Sequence, residues 1–107
     1  MVTDTEFQTR AHRTLVQLHD RYEPAFENAE LEELELEPGL LTIVTASGKT
    51  FIVSAHAPTG QIWLASPISG GLHFIWDEAS QHWALKTGEL LDTILRQELE
   101  REGVLAL

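Results

Sequence analysis

Residues 33–46 read Glu33-Leu34-Glu35-Leu36-Glu37-Pro38-Gly39-Leu40-Leu41-Thr42-Ile43-Val44-Thr45-Ala46, and this stretch decides the fold. Leu34 and Leu36 alternate with three glutamates. A period of two is the mark of a strand with one apolar and one solvated face. Pro38-Gly39 is a turn dipeptide, and Leu40–Ala46 is a second strand, so the stretch predicts a β-hairpin.

The same alternation of short apolar runs and turn signals continues downstream. Ser47-Gly48-Lys49 turns the chain into a strand over Thr50–Ala55, and Ala57-Pro58-Thr59-Gly60 turns it again into Gln61–Ser66. A fifth strand over Leu72–Trp76 follows Gly70-Gly71, and a short one over His82–Leu85 follows the turn at Asp77–Gln81. Turns this short leave an antiparallel meander as the natural topology.

Amphipathic helices flank the meander. Phe7, Ala11, Leu15, Leu18, Tyr22 and Phe26 recur every three or four residues, a stripe about 100° wide on a helix. Thr3 or Asp4 is the expected N-cap. Pro24 lacks an N–H and crowds the carbonyl of Asp20, so this helix is expected to end or kink near Tyr22. Gly88 is expected to open a second helix with the stripe Leu90, Leu91, Ile94, Leu95 and Leu99, followed by an apolar tail of Val104, Leu105 and Leu107. The expectation is an α+β fold in one domain spanning 1–107. It is a two-layer α–β sandwich with both helices on one face of a five- to six-stranded antiparallel sheet.

Composition narrows the function. The chain has 107 residues, no cysteine and a net charge of −10. Disulfides, thiolate zinc sites and cysteine nucleophiles are therefore excluded. No apolar run is long enough to span a membrane. An acidic chain is repelled by nucleic-acid phosphates and anionic lipid, so neither nucleic acid nor membrane is an expected partner. No basic or apolar leader is visible at the N-terminus, so no targeting segment is expected. No catalytic motif such as GxSxG or HExxH occurs, and the chain is read as a non-enzyme.

The charge is unevenly placed. Residues 1–37 hold ten of the acids, whereas 38–76 hold none. Asp20, Glu23 and Glu27 project opposite the apolar stripe of the first helix and run toward Glu30 and the outward Glu33 and Glu35. Carboxylates are hard ligands that suit iron, magnesium, calcium and manganese, and a spread-out surface set binds weakly. His12 and His19 flank this face and offer nitrogen ligands. The competing reading is a solvated helix face beside an edge strand charged against aggregation. In the neutral middle, Ile62 and Leu64 are the better core pair. That places Gln61 and Trp63 on the sheet face the helices leave open, where a tryptophan is a candidate binding hot spot that adds little to folding. Trp76 and Trp83 are assigned to the core.

The run from Gln61 to Phe74, Gln-Ile-Trp-Leu-Ala-Ser-Pro-Ile-Ser-Gly-Gly-Leu-His-Phe, resembles the signature segment of the frataxin family in its bacterial, CyaY-type branch. The resemblance extends from Glu6-Phe7 through the acidic stretch and Pro38–Ile43 to Trp83 and Gly88–Leu91. It implies an iron-binding protein that regulates iron–sulfur cluster assembly, or supplies iron to it, by contacting the cysteine desulfurase and the scaffold protein. Iron (Fe²⁺ or Fe³⁺) would be held weakly at Asp20, Glu23, Glu27, Glu30, Glu33 and Glu35, with other divalent cations as competitors. Gln61, Trp63, Ser66 and Ser69 would meet the partner. The bacterial branch implies a cytoplasmic protein, and a monomer is expected, with iron-driven oligomers as the exception. The alternatives are a ferroxidase or iron-storage activity, or an acidic protein-binding adaptor whose metal binding is incidental.

Overall fold

The computed structural model describes residues 4–106, the side chain of Asp4 excepted. Thr3 and Leu107, one a candidate N-cap and the other part of the apolar tail, lie outside the described residues. Helix α1 spans Asp4–Glu27. It is followed by strands β1 Leu31–Glu37, β2 Leu40–Thr45, β3 Thr50–His56, β4 Gln61–Ser66, β5 Gly70–Asp77 and β6 His82–Ala84, then helix α2 Leu91–Arg101. The six strands lie in the sheet in sequence order, each antiparallel to the next. Both helices pack on one face, as the alternation requires. Leu41, Ile43, Phe51, Val53, Ile62, Leu64 and Phe74 point into a shared core with Leu15, Leu18, Leu91, Leu95 and Leu99.

Three details depart from expectation. Helix α1 does not end at Tyr22 but runs through Pro24 to Glu27. Pro24 sits in the last turn, where little helix remains to disrupt. Burial of Ala25 on the core repays the lost hydrogen bond. The apolar stripe correspondingly steps from Tyr22 to Ala25, and Phe26, expected in the core, is 47% exposed. The second helix does not open at Gly88. That glycine has φ +99° and donates its N–H to the Leu85 carbonyl in a turn, and α2 starts three residues later.

Each helix closes with the same motif. At the end of α1, Glu30 N–H reaches the Ala25 carbonyl and Ala29 N–H the Phe26 carbonyl, with Ala29 at φ +60°. At the end of α2, Val104 N–H reaches the Leu99 carbonyl past Gly103 at φ +90°. This is the Schellman arrangement, in which glycine is favoured at the left-handed position. Ala29 occupies it at a cost of roughly 1 kcal/mol.

Candidate functional site

The acidic face of α1 is assembled by helical spacing. Asp20 and Glu23 are three residues apart and so sit on adjacent turns of one face. His19, half-buried, brings its ring to the same point. Ligand atoms of His19, Asp20 and Glu23 all lie within 4.8 Å of one another. The His19 Nδ1 is 3.2 Å from Asp20 Oδ1. This is the one such cluster of metal-ligating side chains among the described residues. One imidazole nitrogen with exposed carboxylate oxygens is a donor set that ferrous iron accepts, and its openness to water suits weak, exchangeable binding. Tyr22, between them in sequence, takes no part. Its hydroxyl is buried, and burial pushes the phenol up to about 12, so it remains protonated.

The other acids assigned from sequence stand apart from this cluster. Glu27, Glu33 and Glu35 are exposed. A bulge between Leu31 and Glu33 turns both Glu32 and Glu33 outward on edge strand β1. His12 lies away from the cluster, in a shallow depression with Phe7 and Pro38.

Glu30 has a structural task that the sequence concealed. Its Oε1 accepts the backbone N–H groups of Leu105 (2.7 Å) and Ala106 (2.9 Å), and its Oε2 accepts the Asn28 amide (2.9 Å). The carboxylate thus ties the C-terminal tail, with Val104 buried, to the end of α1. The Ala106 N–H, with those of Leu105 and Asn28, holds Glu30 below its ordinary value of 4.5. A depressed carboxylate contributes fully above its ordinary value, and that contribution is lost as pH falls through the folded value. Protection of the Leu105 and Ala106 amides against hydrogen exchange is therefore expected to persist at pH 4.5, to be lost only as pH falls further through the depressed value, and to be absent at every pH in Glu30→Ala. Protection persisting in Glu30→Ala would show that Val104 burial alone docks the tail.

On the open face of the sheet, Trp63 is half-buried between two histidines. The His56 ring stacks on one side with centroids 3.7 Å apart, and the His73 ring on the other at 4.4 Å. Trp63 and His73 are directly opposed on β4 and β5, and His56 approaches diagonally from β3. The indole Nε1–H donates to Gln61 Oε1 at 2.8 Å, which also accepts the Thr59 hydroxyl. Cross-strand neighbours on one face approach closely enough to stack. Trp63 thus sits on the helix-free face, with both ring faces covered and its edge outward. The reading of Trp63 as a residue adding little to folding is corrected by this sandwich.

Ser66 anchors its turn. Its Oγ accepts the N–H groups of Ile68 and Ser69 and donates to Glu98 on α2 at 2.5 Å. Ser69 itself is exposed. Glu98 is 8% exposed and escaped the sequence reading. The signal was available, because Glu98 falls seven residues after Leu91, on the buried stripe.

Comparison with known proteins defines the class. A family model described as a frataxin-like domain matches residues 1–104. The chain therefore belongs to the frataxin-like family. It is 32% identical over 101 residues to the iron–sulfur cluster assembly protein CyaY of Pseudomonas fluorescens, covering 89% of this chain and 91% of that one. It is 33% identical to the CyaY of Azotobacter vinelandii over the same shares. The frataxin of Psychromonas ingrahamii superposes with a TM-score of 0.82 at 20% identity, covering 94% and 91% of the two chains. Trimeric yeast frataxin complexed with ferrous iron superposes at 0.73 with 32% identity, covering 87% and 84%.

Proposed function

We propose that this chain binds iron as a weakly held cargo and acts in iron–sulfur cluster assembly through contacts with the cysteine desulfurase and the scaffold. The observation that carries the reading is the convergence of His19, Asp20 and Glu23 on one point of an acidic surface. The CyaY relatives and the ferrous complex of a frataxin at 32% identity support the same chemistry. The iron centre is His19–Asp20–Glu23, with Glu27, Glu33 and Glu35 supplying a field that concentrates cations. The same field steers a basic groove on the desulfurase, while the Gln61–Trp63 face meets the scaffold. The protein acts without catalysing iron oxidation, and works in the cytoplasm.

Anaerobic Fe²⁺ titration followed by amide NMR tests the reading. Broadening is expected to centre on residues 19–23 and to spare Leu40–Ser66. A His19→Gln, Glu23→Gln double variant should weaken binding about tenfold or more, while Glu37→Gln should not. Broadening centred on His56 or His82, or unchanged binding in the double variant, would move the centre elsewhere. Oxygen consumption above the uncatalysed rate would instead establish a ferroxidase.

A further inference from the structure

The turn between β3 and β4 reads His56-Ala57-Pro58-Thr59-Gly60-Gln61. Pro58 presets φ for the short helical turn Ala57–Thr59, and Gly60 leaves that turn in the left-handed region at φ +66°. The chain therefore reverses at once, and His56 and Gln61 end directly opposed on the two strands. The Thr59 side chain is left within reach of both.

Hydrogen bonds link these residues to Trp63, and donor chemistry fixes the direction of each. An indole N–H only donates, so the Gln61 atom 2.8 Å from Trp63 Nε1 must be the oxygen Oε1. The Thr59 hydroxyl lies 3.1 Å from that same oxygen and gives it a proton. Were the proton turned elsewhere, two bare oxygens would face each other at that distance. His56 Nδ1 is 2.8 Å from the Thr59 oxygen, whose proton is already placed, so Nδ1 must carry its own. The neutral His56 ring is thus the Nδ1–H tautomer, because the tautomer follows the hydrogen bond. Stacking of the His56 and His73 rings on the indole holds its N–H on this line.

Two groups remain unmet. Gln61 Nε2 is the other branch of the amide and carries two N–H groups, and His56 Nε2 keeps a bare lone pair. Both residues are half-buried, and neither nitrogen is sealed from water.

We propose that His56 and Thr59 are positioning residues. They lock the Gln61 amide so that its N–H groups serve as the donor for a main-chain carbonyl of the partner. This role rests on the reading that the Gln61–Trp63 face meets the scaffold, and it names the chemistry of that contact. A carboxylate is disfavoured as the acceptor, because the chain carries a net charge of −10 and the His56 lone pair adds repulsion. A main-chain segment is neutral and brings an N–H as well as a carbonyl. A donor already held in place in the free protein loses less freedom on binding than one that must be ordered.

The test begins on the free chain. Long-range proton–nitrogen NMR of the imidazoles at about pH 8, where an ordinary histidine is neutral, is expected to show His56 as the Nδ1–H tautomer. The Gln61 side-chain amide should give a single rigid pair of signals. Thr59→Val, an exposed change that keeps the branched shape, should move His56 toward the Nε2–H tautomer and mobilise the Gln61 amide. Thr59→Ser should restore both. Scaffold binding is expected to weaken about threefold to tenfold in Thr59→Val, to recover in Thr59→Ser, and to fall further in Trp63→Ala. An Nε2–H tautomer in the wild type, or no recovery in Thr59→Ser, overturns the positioning role. So does wild-type affinity in Thr59→Val beside weak binding in Trp63→Ala, a result that leaves the scaffold face standing. Wild-type affinity in both Thr59→Val and Trp63→Ala overturns the scaffold face itself, and the positioning role with it, whatever the tautomer.

Discussion

Trp83→Ala is expected to destabilise the fold by roughly 3–5 kcal/mol, the range for removing a buried tryptophan. Trp83 is 4% exposed and joins α1 to the neighbouring strand β5. Phe7 meets it edge-on with centroids 6.0 Å apart, Trp76 packs at 5.4 Å, and its N–H reaches Thr14 on α1. The last strand is three residues long and is held to the helix largely through this side chain. Truncation leaves a cavity and removes one hydrogen bond to Thr14, whose hydroxyl keeps its bond to the Arg10 carbonyl, and the short strand cannot collapse to fill the space. Trp83→Phe keeps an aromatic ring but loses the hydrogen bond, and should cost about 1–2 kcal/mol. Urea melts of both variants check this. A loss below 1 kcal/mol for alanine would mean the β5–β6 hairpin is dispensable for the cooperative unit.

The sheet was legible in the sequence because its signal is local. Alternation in residues 33–46 and the Pro38-Gly39 turn fix strand, face and register without reference to anything distant. The same logic placed Trp63 opposite Ile62 and Leu64. What escaped was set by contacts far apart in sequence. Pro24 argued locally for a helix end, but burial of Ala25 against the sheet overrode it, and Phe26 was displaced outward as a result. Six acids remain as candidate ligands on sequence alone, because spacing along the chain cannot tell which acids share a point with a histidine. The fold gathers His19, Asp20 and Glu23 and engages Glu30 with a tail 75 residues away. Glu98 takes its role from Ser66, 32 residues earlier, and nothing near it in sequence marks that partner. Trp76, assigned to the core, is half-buried and packs against its edge.

Trp63→Ala should lose both stability and partner binding, in separable amounts. The sandwich with His56 and His73 is two aromatic stacks, each worth about 0.5–1.5 kcal/mol beyond burial. Truncation is therefore expected to cost roughly 1–3 kcal/mol of folding, less than the loss for Trp83. Binding to the scaffold should fall by about 2 kcal/mol or more if the Trp63 edge sits at an interface centre. Trp63→Phe separates the two effects. It preserves a ring between the histidines and so recovers most of the stability. It cannot donate to Gln61 Oε1, so that amide loses the bond that orients it on the open face. Recovered stability with persistently weak scaffold binding would assign the functional weight to the indole edge and Gln61 together. Full recovery of both would reduce Trp63 to a spacer between His56 and His73, and the partner contact would then belong to the exposed His73.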